Sequence, residues 1–209
     1  MSNTIDQATF ENIYASQAAP WDTGRPHERF VRIADRVVSP VLDAGCGTGE
    51  VALSLAARGR EVTGIDFVEE AIRRASAKAA ERGLAVELLV KDALALDRWG
   101  RQFATVIDSG LFHVFSDDDR RRYVEGLRTA LVPGGRLFLA CFSDEEPGTE
   151  GPRRVSRQEL YAAFADGFVI ESIEPSRFEV NPQAAGPAFS PGGPKTWFAV
   201  IRRSDSGKH

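Results

Sequence analysis

Cysteine is scarce in this chain, with only Cys46 and Cys141 among 209 residues. Cys46 lies in a run of glycines and Cys141 in an expected strand, so a disulfide framework is excluded as the source of stability. Neither has a second cysteine or a histidine at the spacing of a metal site, and no metal is expected. Long apolar runs are also missing; none approaches the roughly 20 residues that span a bilayer. Residues 1–6, Met-Ser-Asn-Thr-Ile-Asp, lack the basic-then-apolar order of a secretory leader. A cytoplasmic protein with no membrane partner is the expectation. An excess of positive charge is absent too: 26 Lys and Arg stand against 30 Asp and Glu, for a net charge of -4. That balance gives no footing for a nucleic-acid partner, which needs a clustered basic surface. The arginine run at 120–122 adjoins Asp117, Asp118 and Asp119 and reads as a solvated helix face. There is no repeat, linker or low-complexity block, and nothing bears on oligomeric state.

What remains is an ordinary globular composition, 43% hydrophobic and 27% charged, of a length that suits one domain. Short β-branched runs alternate with longer amphipathic stretches, the signature of an α/β sheet. Strands are expected at 41–44, 62–66, 85–90, 104–108, 136–142, 168–173 and 196–202. Helices are expected at 50–58, 69–82, about 117–131 and about 157–165. Glu69/Arg73 and Glu70/Arg74 fall at i,i+4 on the second of these, and Gly83 is its expected stop. Ser116 to Asp119 and Ser156 to Glu159 have the pattern of capping boxes. The result is a single doubly wound, Rossmann-like domain over 41–209. Residues 1–40 do not fit the alternation. A short helix at 10–17, an irregular stretch at 19–26 and a further helix from Pro26 make them a helical lid over the ligand edge.

In an open α/β sheet, ligands bind beyond the carboxyl ends of the strands, at the switch point beside the first. The run Val41-Leu42-Asp43-Ala44-Gly45-Cys46-Gly47-Thr48-Gly49 occupies that place. Gly45, Gly47 and Gly49 remove side chains where a ligand must touch backbone. The spacing is G-x-G-x-G followed by Glu50, whereas a dinucleotide fingerprint is G-x-G-x-x-G with a pyrophosphate on the helix N-terminus. The missing glycine and the acid at the helix start favour a cationic sulfonium amino acid over an anionic pyrophosphate. Asp66 ends the second strand, 17 positions after Gly49, where a carboxylate accepts both hydroxyls of a ribose. Phe67 follows it in the expected cofactor set. Asp92 and the backbone of Ala93 suit an adenine edge, although Asp92 suits a turn equally. Asp43 faces the loop, placed to anchor an ammonium. Asp108, ending the fourth strand, is suited either to ligand or to loop backbone.

These motifs carry a resemblance. The 41–49 run, Val62-Thr63-Gly64-Ile65-Asp66 and Leu131-Val132-Pro133-Gly134-Gly135 resemble the motifs of class I methyltransferases over nearly the whole chain. The resemblance implies a seven-stranded, mostly parallel sheet with an antiparallel last strand, and S-adenosylmethionine as cofactor. A narrower one links Ala19-Pro20-Trp21-Asp22-Thr23-Gly24-Arg25-Pro26 to the Pro-Trp-Asp-x-Gly-Arg segment of the thiopurine, thiol and halide methyltransferases. It implies that Trp21 packs on the cofactor and that Arg25 steers its carboxylate; a Trp face also suits a sulfonium cation.

Residues 108–115, Asp-Ser-Gly-Leu-Phe-His-Val-Phe, follow the fourth strand, where such an enzyme presents groups to the transferring methyl. His113 is the expected general base for an O–H or N–H acceptor, or else a packing residue at that junction. Phe112, Phe115, Tyr14 and Phe189 are expected either as an aromatic wall or as core. The polar connection 146–154 is suited to a substrate loop, with Arg153 and Arg154 either meeting an acidic substrate or solvated. The partner expected is a small, planar or aromatic methyl acceptor. Two rivals stand beside this reading: a nicotinamide-dependent reductase on the same sheet, and a non-catalytic cofactor-binding protein.

Overall fold

The computed structural model describes residues 7–15, 19–181 and 189–205. Residues 1–6 and the expected helix end at Gln17 lie outside the described residues. The elements run α1 (Gln7–Ala15), α2 (Glu28–Arg32), β1 (Val41–Ala44), α3 (Glu50–Ala56), β2 (Val62–Asp66), α4 (Glu69–Glu81), β3 (Glu87–Val90), β4 (Phe103–Ser109), α5 (Asp117–Ala130), β5 (Leu131–Phe142), α6 (Arg157–Ala163), β6 (Phe168–Arg177) and β7 (Lys195–Arg203). One seven-stranded sheet has the order β3-β2-β1-β4-β5-β7-β6. β1 pairs parallel with β2 and β4, and β7 runs antiparallel to both β5 and β6.

β1 is buried along its whole length because both faces are covered. Its residues alternate between layers: Leu42 and Ala44 join the core with Leu127, Leu139 and Phe164, whereas Val41 joins Phe30, Val51 and Phe198 on the other face. A third, smaller cluster sets Tyr14 and Ala19 against Val68 and Ala71, with Phe10 and Phe67 at its edge. The segment before β1 is thereby tied to the first residues of α4.

Several boundaries differ from expectation for identifiable reasons. The Pro-Gly-Gly motif lies inside β5, where the register slips between Phe103 and Thr105 of β4. A side chain on Gly135 would stand 2.9 Å from the Val132 carbonyl and 3.0 Å from that of Ala104, so only glycine lets these backbones close. β6 extends to Arg177 through Pro175, which an edge strand tolerates. Two 3-10 turns, Ala93–Arg98 and Phe112–Val114, carry no helical periodicity. Ser156 forms a complete capping box with Glu159. At Ser116 only half forms, because its hydroxyl donates to the Asp119 carboxylate at 2.7 Å. Arg73 pairs with Glu70 at i,i+3 instead of with Glu69.

The arginine run corrects the sequence reading most sharply. Arg121 and Arg122 are exposed and pair with Asp118 and Asp119. Arg120, however, is only 5% exposed, donating to the Phe112 carbonyl at 3.2 Å and facing Glu159 at 3.4 Å, with Nη2 unpartnered.

Candidate active site

The parallel strands β1, β2 and β4 all end on the same edge of the sheet, and each ends on or beside an aspartate: Asp43, Asp66 and Asp108. All three are buried. Asp66 accepts the backbone N–H of Gly47 on Oδ2 and that of Val68 on Oδ1, both at 2.9 Å. Burial nevertheless raises its pKa above the usual carboxylate range. Asp43 keeps Oδ2 without a partner, and its pKa is pushed up to about 7 by burial, with Asp108 and Asp66 adding to the rise. An orphaned carboxylate oxygen in a cluster of three acids is what an ammonium and a sulfonium would complement. The residues present therefore fit S-adenosylmethionine.

Gly45 and Gly47 both have positive φ, and neither has room for a side chain. At Gly45 a Cβ would meet Leu111 at 3.1 Å, and at Gly47 it would lie 2.8 Å from the Tyr14 hydroxyl. Tyr14 therefore stands over the glycine loop. Its hydroxyl accepts from Trp21 Nε1 at 3.0 Å, and Trp21, 43% exposed, also packs on Phe10. Phe10 in turn meets Phe67 edge-on at 5.6 Å. Thr48 donates to Asp22 at 3.1 Å, a second tie between the loop and the segment before β1.

The other expected cofactor residues also make contacts within the chain. Arg25 is paired with Glu179 at 3.0 Å and is largely exposed. Asp92 caps the turn after β3, accepting from Leu94 N at 2.8 Å, with Ala93 buried beside it. Asp108 accepts from Leu111 N at 2.8 Å and Phe112 N at 3.1 Å; being fully buried, it holds the loop backbone. Glu50 pairs with Lys78 at 2.8 Å and with Arg82 at 3.1 Å, so its charge is neutralised locally and carries no weight against a pyrophosphate.

On the β4–β5 side, His113 accepts the backbone N–H of Phe142 on Nδ1 at 3.0 Å. Burial, with Arg120 and Arg154 nearby, lowers its pKa to about 3. A ring so placed is a poor proton acceptor at neutral pH, against the base role anticipated for it. Phe142 and Phe178 flank it, with ring centres 4.9 and 6.0 Å away. Phe189 meets Phe142 edge-on at 5.6 Å. Gly110 completes the group: a side chain there would stand 3.6 Å from both His113 Nε2 and the Phe178 ring. Phe112 and Phe115 belong to the core, against Phe164 and Tyr123. Arg154 donates to the carbonyls of Glu146, Pro147 and Pro152, bracing its own loop. Arg153 pairs with Asp117 and Glu159.

Comparison with known proteins places this geometry in context. The family described as "Methyltransferase domain" matches residues 41–135. Across 213 residues the chain is 33% identical to 2-heptyl-1-hydroxyquinolin-4(1H)-one methyltransferase of Mycobacteroides abscessus, covering 96% of this chain and 92% of that protein. It is 26% identical over 180 residues to "Probable thiol methyltransferase 2" of Arabidopsis thaliana, covering 83% and 79%. A structure solved for the conversion of a disulfide bond into a thioacetal group during echinomycin biosynthesis superposes with a TM-score of 0.84. The two chains are 33% identical, with 97% of this chain and 94% of that one covered.

Proposed function

The chain belongs to the class I S-adenosylmethionine-dependent methyltransferases, and from that premise we propose that it methylates an acidic O–H, S–H or N–H group on a small, planar heteroaromatic molecule. The observation that carries the acceptor class is the pair Phe142 and Phe178 set against His113 at the ends of β4 and β5, with Phe189 edge-on to Phe142. Three flat apolar faces suit a ring system, and offset or edge-on contacts with one add to its burial. The names of the relatives support the same class, since one acts on a hydroxyquinolone and another is named for thiols.

When bound, S-adenosylmethionine supplies an electrophilic methyl on a sulfonium. The chain's own part is to hold the two reactants together and dry, which supplies most of the acceleration in a displacement of this kind. Asp43 takes the ammonium, Asp66 the ribose hydroxyls, and Asp92 with the Ala93 backbone the adenine edge. Gly45 and Gly47 give the close backbone approach, and Phe67 packs beside them. Residues 1–40 act as a lid on the domain formed by 41–209, with Trp21 closing over the cofactor. Asp22 and Tyr14 support this, both being seated on the glycine loop. Arg25, at the exposed edge of this segment, steers the cofactor's carboxylate, and Asp108 holds the backbone of the loop after β4. The unpaired thiols of Cys46 and Cys141 support a reducing, cytoplasmic setting.

The test is S-adenosylhomocysteine release, measured by mass spectrometry, with a panel of N-hydroxyquinolones, thiophenols, aliphatic thiols and halide. Turnover is expected to favour the planar members. Activity confined to halide or aliphatic thiols would refute the acceptor class while leaving the family intact.

A further inference from the structure

Neutral imidazole carries one N–H, so the hydrogen bond at one ring nitrogen decides what the other does. In His113, Nδ1 accepts the backbone N–H of Phe142, which puts the ring proton on Nε2. Nε2 makes no hydrogen bond among the described residues. The ring is 5% exposed, and Nε2 lies beside Gly110, where an added Cβ would come within 3.6 Å of it, and beside the ring of Phe178. We propose that His113 donates this Nε2–H to the anionic heteroatom of the acceptor, so that the site selects acceptors ionised before the methyl arrives.

The inference rests on reading the Phe142–Phe178–Phe189 mouth as the acceptor site. The surrounding charge points the same way. Arg120, from α5, is buried with Nη1 facing Glu159 at 3.4 Å and Nη2 unpartnered, and Arg154, from the loop after β5, lies against Phe142 with its guanidinium 5.1 Å from the ring centre. The carboxylate nearest along the chain, Asp108, is tied to the backbone of Leu111 and Phe112. Two cations that oppose an imidazolium favour an anion in the same place. The chemistry balances without an enzyme base. The acceptor loses its proton to water, and its electron pair then forms the bond to the methyl carbon. The carbon–sulfur bond breaks with its pair left on sulfur, and His113 keeps its proton throughout.

The test uses His113→Gln and His113→Phe with a series of ring-substituted thiophenols of graded acidity. Glutamine can accept from Phe142 N and still donate, yet cannot take a proton; phenylalanine fills the space and does neither. His113→Gln is expected to keep kcat/KM within about fivefold, and His113→Phe to lose on the order of 10- to 100-fold, the scale of a hydrogen bond to a charged group. In the wild type, kcat/KM should rise with pH along one limb that moves with each thiol's own acidity. A limb fixed at one pH for every acceptor, or a glutamine variant as poor as phenylalanine, overturns the proposal. A second measurement needs neither turnover nor a variant. The 15N spectrum of wild-type His113 in the S-adenosylhomocysteine complex should show the Nε2–H form, with that N–H shifted downfield by 4-nitrothiophenolate. A Nδ1–H form, or no shift, refutes the donor role. A shift without turnover of any panel member would instead refute the function proposed above.

Discussion

The carboxylate of Asp66 and the backbone N–H of Gly47 are joined at 2.9 Å, so the tip of β2 holds the glycine loop of β1 in shape. The same side chain is the proposed ribose ligand, and its second oxygen already accepts from Val68 N. Replacing it therefore removes a loop brace and a ligand contact together. Asp66→Ala should weaken S-adenosylhomocysteine binding by more than one hydrogen bond to a charged group, about 1.5–3 kcal/mol, and should lower Tm as well. Calorimetric titration beside thermal denaturation separates the two effects. Unchanged affinity would mean that another residue holds the ribose.

Tyr14 and Gly47 make a second contact with a defined consequence. Gly47 has φ +54°, and a methyl there would sit 2.8 Å from the Tyr14 hydroxyl. Gly47→Ala should cost about 1–2 kcal/mol for the left-handed backbone and displace the lid as well. Adding Tyr14→Ala to Gly47→Ala should recover the clash but not the backbone strain. A double-mutant cycle on cofactor affinity reads the coupling; strict additivity would show that Tyr14 yields freely.

Glu146 joins two connections that the sequence shows only as loops. Its carboxylate accepts from Ser190 N at 2.9 Å and Lys195 N at 2.8 Å, which hold its pKa below the usual range despite desolvation. Its contribution is present above the unfolded pKa and is lost as pH falls through the lowered folded one. Glu146→Ala should destabilise by about 2–4 kcal/mol in urea unfolding near neutral pH, since two N–H groups lose a charged acceptor. The loss should shrink as pH falls below about 4, where an unfolded Glu is itself protonated. An equal loss at pH 3 and pH 7 would indicate packing.

How much could be read beforehand follows from where each signal resides. β1, β2 and β4 were legible because strands buried on both faces are apolar runs, and the glycine loop needs its residues in sequence. β6 was cut short because an edge strand carries Glu171, Glu174 and Pro175 without losing its pairing. Arg120 looked like surface because its neighbours in sequence are acidic. Its real partners, Phe112 and Glu159, arrive from other elements. Phe178 was invisible for a similar reason. It lies past the expected end of the sixth strand, and β6, running parallel to β5 across β7, carries it to the edge where His113 and Phe142 stand. Glu50 misled the ligand argument, since local sequence does not show that Lys78 and Arg82 neutralise it.

Asp43 predicts a pH dependence with a definite sign. Its folded pKa, about 7, lies above the unfolded value near 3.9, so between those limits the native state holds a proton that the unfolded chain has released. Its contribution is complete below about pH 4 and is lost as pH rises toward 7. Asp108, raised to about 6, acts in the same direction, whereas His113, lowered to about 3, acts in the opposite one. The informative quantity is therefore the difference between wild type and Asp43→Asn. The variant should gain Tm relative to wild type as pH goes from 5 to 8, and should lose the rise in S-adenosylhomocysteine affinity expected over the same range. Parallel Tm curves would show that Asp43 is ionised throughout.

Phe178 offers the clearest separation of acceptor from cofactor. Its ring meets those of Phe142, His113 and His27, with centres 5.8, 6.0 and 5.2 Å away. Phe178→Ala should remove an aromatic face from the acceptor mouth and leave the glycine loop as it is. For a planar acceptor that loss is worth about 0.5–1.5 kcal/mol beyond the area uncovered, so KM should rise several-fold or more. Aliphatic thiols, which gain little from a flat face, should show a smaller change. S-adenosylhomocysteine affinity, measured on the same preparation, should match the wild type. A fall in cofactor affinity equal to the rise in KM would mean that Phe178 supports the whole β4–β5 edge, and the aromatic mouth would lose its claim to acceptor selection.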